Sequence, residues 1–330
     1  MPKDPTPEPV AARVAAAMTV LPTLARQAGL DADGWTPTVL RSRKTDWTDG
    51  IVMRLSRGPA SVILKHDAHP GRIASFRDEI DAARAAQAAL PDDPEFRVPR
   101  ILALHDGEAA VLLEDAQAEP MAAMLEGLPE ADHLPLLQRA GAWLDRLHRA
   151  RLGERRTFRP QATTKHLEGL VSRIERGEAV AVAQPDFLAA AQACLSQRAR
   201  FAGLETIAAI PHGDFHLRNL LIGNAAWGID FLPKQVQAVG QDIARFLVHY
   251  ATFFAPFEDI RPGEVIPDRA LQAFFRGYTL VGPEDPGVQF LMRHRILADW
   301  WRLSPDAETL NEIEAARLFG LRRLARIVFD

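Results

Sequence analysis

Cysteine is nearly missing from this chain. Cys194 is the only one in 330 residues, so no internal disulfide can form. Long apolar runs are missing too. Nothing approaches the roughly 18 consecutive apolar residues of a transmembrane helix, so a membrane partner is not expected. There is no excess of positive charge. The formal net charge is −4, which gives no reason to expect nucleic acid as a partner. A signal peptide needs a basic leader and an unbroken apolar run. Met1 to Val10 instead carries four prolines and three charged residues, and the apolar stretch from Ala11 to Leu24 is interrupted by Arg13. An N-terminal helix and a cytoplasmic location are the expectations. Nothing in the sequence specifies an oligomeric state.

What is present is ordinary in bulk and uneven along the chain. A composition of 47% hydrophobic and 25% charged residues suits a globular protein, and the length allows two lobes or domains. Short strand candidates run over Thr36–Arg41, Ile51–Leu55, Ser61–Lys65, Ile101–His105 and Ala110–Glu114. Turn-rich pieces such as Asp49-Gly50 and Asp106-Gly107 separate them. One helix interrupts them near Ile73–Leu90, where Phe76, Ile80, Ala83 and Leu90 recur at helical spacing. After Asp115 helical patterns dominate: 134–152, 188–201, 241–254, 269–278, 288–303 and 307–328. The main exception is a hairpin-like run, Leu220-Leu221-Ile222 and Trp227-Gly228-Ile229, broken at Gly223-Asn224. The expectation is an α+β chain: a small antiparallel-sheet unit over residues 1–115 and a larger, mostly helical unit over 116–330. The join falls near Glu114–Glu119.

The chemistry concentrates in one segment, His212-Gly213-Asp214-Phe215-His216-Leu217-Arg218-Asn219, followed by Asp230. Asp214 can meet the proton of a hydroxyl. Asn219 and Asp230 are hard oxygen donors that should converge at the ends of the hairpin. That set suits magnesium-assisted phosphoryl transfer. An isolated Asp is more often a turn or a helix cap, but three such residues bracketing a hairpin weaken that reading. Lys65 ends a strand and shares a face with Ile63, where it can reach nucleotide phosphates; the plain alternative is a solvated lysine. Glu79 lies on the inward side of its helix, three residues after Phe76, and Lys65 is its expected partner. A rival reading makes His212, Asp214 and His216 ligands of zinc or another transition metal, but it leaves Asn219 and Asp230 unused.

The pattern His212-Gly213-Asp214-x-His216-x-x-Asn219 with Ile229-Asp230-Phe231 resembles the signature of the aminoglycoside phosphotransferase and choline kinase superfamily. These are protein-kinase-like small-molecule kinases. The resemblance runs over about residues 35–250. It takes in the lysine strand, the glutamate helix, Leu112-Leu113-Glu114-Asp115, Leu144-x-x-Leu147-His148 and Val239-Gly240-Gln241-Asp242-Ile243-Ala244. It implies a bilobal kinase-like fold and an ATP- and magnesium-dependent phosphotransferase, with GTP as a possible donor. Asp214 would be the catalytic carboxylate. Asn219 and Asp230 would hold Mg2+. Lys65, paired with Glu79, would position the phosphates, and the backbone of Glu114 to Ala116 would meet the adenine. The alternative is a nucleotide-binding regulator of the same fold without turnover.

Four departures from relatives are visible. Gly213 replaces the Arg of the protein-kinase His-Arg-Asp, Leu232 replaces the Gly of Asp-Phe-Gly, and His216 stands where many protein kinases have a phosphate-contacting Lys. The candidate nucleotide loop, residues 42–50, has a single glycine and carries Trp47. For the acceptor, a small hydroxylated molecule, two features offer themselves. Glu258, Asp259, Glu264 and Asp268 could attract a cationic aminoglycoside. Tyr278, Trp300 and Trp301 could cage a quaternary ammonium, the alternatives being a solvated loop and a core helix.

Overall fold

Aliphatic residues at every second position of 51–55 and 62–64 make strands with two usable faces. In the computed structural model, which describes residues 7–91 and 93–329, both faces are used. The described chain separates into two units, residues 7–118 with 223–233 and residues 119–222 with 234–329. The chain passes from the first unit to the second between Ala118 and Glu119. Residues 223–233, assigned above to the helical part, cluster instead with the sheet, because their strand pairs there.

The sheet unit contains α1 (Pro7–Gln27), β1 (Thr36–Thr45), β2 (Thr48–Arg57), β3 (Ala60–Asp67), α2 (Ile73–Ala89), β4 (Phe96–Arg97), β5 (Ile101–Leu104) and β6 (Ala109–Glu114). Five strands form an antiparallel sheet in the order β1-β2-β3-β6-β5. One face packs Met53, Leu55, Leu64 and Leu112 against Ala17, Leu21 and Leu24 of α1. The other packs Val111 and Ala109 against Phe76 and Ile80 of α2. Val111 and Leu112 are neighbours in sequence and serve opposite cores, as the two-residue period requires. Lys65 lies opposite Val111 and therefore on the α2 face.

Residues 42–50 do not form a loose loop. β1 and β2 stay paired to Thr45 and Thr48, and Trp47 stands 79% exposed at the tip. The hairpin is braced from below. Arg13 of α1, buried, pairs with Asp49 and donates to Ser42 Oγ at 3.0 Å. Asp67 accepts from Thr48 Oγ at 2.6 Å and from the Asp49 amide at 2.9 Å. Side-chain anchors replace the backbone freedom that glycines supply elsewhere.

The helical unit begins with β7 (Glu119–Pro120), α3 (Met121–Glu126) and α4 (Glu130–Ala150). It continues through β8 (Leu152–Thr157), α5 (Pro160–Glu175), α6 (Gln184–Ser196), α7 (Arg198–Phe201), β9 (Glu205–Ala209) and β10 (Leu220–Ile222). β11 (Ala226–Gly228) belongs to the sheet unit, where it pairs in parallel with β4. The helical unit resumes with β12 (Gln237–Ala238), α8 (Gly240–Phe253), α9 (Asp268–Gly277), α10 (Pro286–Trp300) and α11 (Glu312–Phe329).

Several elements depart from expectation, among them α5, which lies outside the expected helical stretches. β12, β9 and β8 form a three-stranded antiparallel sheet within the helical unit. The helix expected from Ala307 starts only at Glu312, after a short 3-10 turn at Ala307–Thr309. The helix expected over 188–201 is two, α6 and α7. α4 and α9 cross so closely that a Cβ on Gly141 would lie 2.1 Å from the Phe274 carbonyl oxygen, and one on Gly277 would lie 1.9 Å from that of Gln138. That contact brings Tyr278, just past α9, against His148 near the end of α4. No helix among the described residues is long and apolar enough to cross a membrane.

Candidate active site

The segment 211–219 sits in the helical unit between β9 and β10, and two devices hold it. The first is aromatic. Phe215, fully buried, stacks between Trp143 of α4 (5.4 Å between centroids, 10° between planes) and Phe246 of α8 (4.9 Å, 21°). The second is electrostatic. Asp242, in the first turn of α8 and 2% exposed, accepts from the His212 amide at 2.7 Å and the Gly213 amide at 3.0 Å. His148 Nε2 lies 3.1 Å from the same carboxylate, and its Nδ1 lies 2.9 Å from the Tyr278 hydroxyl. Burial by itself would raise the Asp242 pKa. The hydrogen bonds from His148 and the loop, with the nearby His148 and His212 rings, hold it below the ordinary 3.8. A buried carboxylate thus gathers the two amides immediately before Asp214.

Gly213 has φ +87°, a left-handed conformation that glycine adopts without steric cost. The residue that stands where protein kinases have Arg is thus in a backbone conformation that favours glycine.

Asp214 and Asn219 are brought together. The Asn219 side-chain amide donates to the Asp214 carbonyl at 3.0 Å and to its Oδ2 at 3.2 Å. With the nitrogen so committed, the amide oxygen is the atom left for a ligand. Arg245 of α8 forms an ion pair with Asp214, and His216 Nε2 lies 3.6 Å from Asp214 Oδ2. Neither Asp242 nor Arg245 was singled out from sequence as a site residue. The available signal was their i,i+3 spacing on one amphipathic helix. Burial, with Arg295, Arg302 and Arg317 nearby, lowers the Arg245 pKa to about 9, so the guanidinium stays charged at neutral pH.

In the sheet unit Lys65 pairs with Asp230, and Asp230 has φ +61°, a strained value for a non-glycine residue. The expected Lys65–Glu79 pair is not formed. Glu79 is taken by Arg72, at 3.0 Å to each carboxylate oxygen. Arg72 also donates to Asp67 at 3.0 Å. A guanidinium presents a fork that two carboxylates can share, and it lies only seven residues from Glu79 on the same helix entry. A continuous polar chain therefore joins α1 to α2: Arg13, Asp49, Asp67, Arg72, Glu79.

Of the expected adenine-contacting backbone, the Glu114 amide is already spent on the Arg100 carbonyl, at 2.9 Å. Glu114 carboxylate accepts from the Arg100 amide at 3.1 Å. The Glu114 carbonyl and the half-buried Ala116 remain the candidates. Asp115 is fixed by Arg54 at 2.8 Å and by the Gln117 amide at 3.0 Å.

Of the two acceptor features read from sequence, the aromatic cage is not formed. Tyr278 and Trp300 are fully buried, with Tyr278 bonded to His148 and Trp300 Nε1 donating to the Val182 carbonyl at 2.9 Å, so no cage is exposed. In the acidic run, Asp259 pairs with Arg269, and Asp268 lies 3.6 Å from Arg261. The zinc reading fails as well. His212 Nδ1 accepts from the Asp214 amide at 3.3 Å, and no group of three metal-binding His, Cys, Asp or Glu side chains occurs among the described residues.

Comparison with known proteins finds one family match and several chains of similar fold. The phosphotransferase enzyme family, APH, matches residues 32–291. No curated protein sequence matches the chain. Among solved structures, spectinomycin phosphotransferase APH(9)-Ia in complex with ADP and spectinomycin superposes with a TM-score of 0.56 at 12% identity, over 93% of this chain and 96% of that one. The AMP-bound complex of the same enzyme gives 0.55 at 12% identity, over 94% and 98%. Glucosamine kinase in complex with glucosamine, ADP and phosphate gives 0.50 at 15% identity, over 95% and 84%.

Proposed function

From membership of the phosphotransferase enzyme family, to which this chain belongs, we propose that it transfers the γ-phosphoryl group of ATP to a hydroxyl of a small molecule with the help of magnesium. The observation that carries the proposal is the clamp of Asp242 on the His212 and Gly213 amides, which sets Asp214 and Asn219 in one rigid turn. Structures of similar fold hold ADP or AMP, which supports a nucleotide donor.

The roles follow from the chemistry of each group. Asp214 orients the acceptor hydroxyl. Its pairing with Arg245 and its contact with Asn219 fix the carboxylate, and phosphoryl transfer depends more on such positioning than on proton removal. Mg2+ fits the donors: Asn219 offers an amide oxygen and Asp230 a carboxylate, both hard ligands. When bound, that ion neutralises charge on the phosphates. Lys65 neutralises phosphate charge as well, exchanging Asp230 for phosphate oxygens. Glu79 acts through Arg72, as a positioning residue for the β3–α2 connection. The adenine is held by the backbone of Glu114 to Ala116.

The test is titration with ATP and with GTP, each with and without Mg2+, followed by mass spectrometry of a hydroxylated-metabolite panel. Binding that requires Mg2+ and a phosphorylated product that Asp214→Asn abolishes are expected. Full turnover by Asp214→Asn would remove Asp214 from its role.

A further inference from the structure

Arginines gather near Asp214, and in the acidic run Asp259 and Asp268 are paired with arginines. α8 presents Arg245, His249 and Phe253 at four-residue intervals, so they form one row. Arg245 pairs with Asp214. The His249 ring lies 5.4 Å from that of His216 and 5.0 Å from that of Phe253, and the Arg317 guanidinium of α11 sits 5.7 Å from the Phe253 ring centre. From α10, Arg295 reaches Asp299 at 2.9 Å, and Arg302 just beyond the helix lies 3.8 Å from the same carboxylate.

Arg295, Arg302 and Arg317 lie near Arg245, as does Asp299. His249 meets His216, Arg218, Arg295 and Arg317. Arg245, Arg295, Arg302 and Arg317 thus gather near Asp214 and Asp299, with Arg218 and His216 near His249. Gathering like charges on partly buried helices works against folding. A bound anion would offset that repulsion, and arginine forks match carboxylate and phosphate oxygens. A further feature points to a ligand. His249 Nδ1 is buried with no hydrogen-bond partner among the described residues. Burial and the surrounding cations hold this imidazole neutral, so it can accept or donate one hydrogen bond.

We propose that the acceptor of this enzyme is an anion: a small hydroxylated molecule whose carboxylate or phosphate group docks on Arg317, Arg302 and Arg295 while its hydroxyl meets Asp214. The inference rests on the phosphotransferase reading for the role of Asp214, but not for the anion site itself. Arg218, exposed at the end of the loop, extends the same positive surface.

The test uses calorimetric titration of the full chain with matched probes: D-glucose, D-glucosamine, D-glucuronate, D-glucose 6-phosphate and inorganic phosphate. Mg2+ with ATP is titrated separately. At least one anion is expected to bind about tenfold more tightly than glucose or glucosamine, and Arg317→Gln and Arg302→Gln to weaken it by a similar factor. Neither variant should change the affinity for Mg2+ with ATP. The glucuronate and phosphate arms tell which anionic group is read. The proposal is overturned if glucosamine or glucose binds as tightly as the anions, if no anion binds while the nucleotide does, or if anion binding survives both substitutions unchanged. Anion binding that the substitutions weaken, in a protein that ignores nucleotide, would support the anion site and refute the phosphotransferase reading instead.

Discussion

Replacing Asp242 by Asn probes the clamp that sets the candidate catalytic turn. The carboxylate accepts at 2.7 Å from His212 N, at 3.0 Å from Gly213 N, and faces His148 Nε2 at 3.1 Å. Asparagine keeps the shape but has one oxygen. Whichever way the amide turns, one loop N–H faces an NH2 donor. A buried donor left unpaired costs about 1–3 kcal/mol, and losing charge from the surviving bonds adds a similar amount. The sum, roughly 2–6 kcal/mol, is a large fraction of the about 5–15 kcal/mol that holds a typical protein together. For a chain of this size it should lower Tm by about 3–9 °C. The functional effect is separate. A shift of about 1 Å in Asp214 costs on the order of 100-fold in kcat, with KM for the nucleotide little changed. Differential scanning calorimetry and steady-state kinetics read the two effects. An Asp242→Asn protein with wild-type Tm and wild-type kcat would refute the claim that this carboxylate sets the turn.

Other outcomes follow from the same geometry. Gly213→Ala places a side chain at φ +87° and should cost roughly 1–2 kcal/mol, visible in the urea midpoint. Arg13→Ala releases the β1–β2 hairpin from α1. It should weaken Mg2+-dependent nucleotide binding about tenfold if that hairpin covers phosphate, while a merely structural Arg13 would change Tm alone. Burial, with Arg295 and His166, holds His294 down to about 4, below its ordinary 6.5. Its folded pKa is the lower one, so the unfolded chain binds more protons between these values. Stability from this group is complete above about pH 6.5 and is lost as pH falls towards 4, by up to about 3 kcal/mol. His294→Gln should flatten the fall in Tm between neutral pH and about pH 5, and an unchanged slope would contradict the assignment.

How far the sequence is readable depends on the range of the interaction. α2 and the short strands announce themselves through the spacing of Phe76 and Ile80 and the aliphatic runs at 51–55 and 62–64. These patterns record one face meeting a core. The turn 212–219 is legible because Asp214 and Asn219 contact each other within five residues. Partner choice over longer range is not. Glu79 has a strand lysine and a nearby arginine as candidate partners, and only the three-dimensional path of residues 67–73 selects Arg72. Asp242 acts across 30 residues of sequence, and α8 looks like any amphipathic helix until its first turn is seen against the loop. β8 escapes notice because Glu154, Arg155 and Arg156 are exposed polar residues without alternation, and its pairing with β9 spans the whole of α5 to α7. Tyr278 and Trp300 mislead for the opposite reason: aromatic residues suit both a cage and a core, and burial decides.

The most direct measurement is mass-spectrometric detection of phosphoryl transfer from ATP to an acceptor panel that includes sugar acids and sugar phosphates. It is run with the wild type, Asp214→Asn and Asp230→Ala, each with and without Mg2+. Product from the wild type only, and only with Mg2+, is the predicted result. Equal product from the Asp230→Ala protein, or none from a wild type shown to bind Mg2+ with ATP, would contradict it.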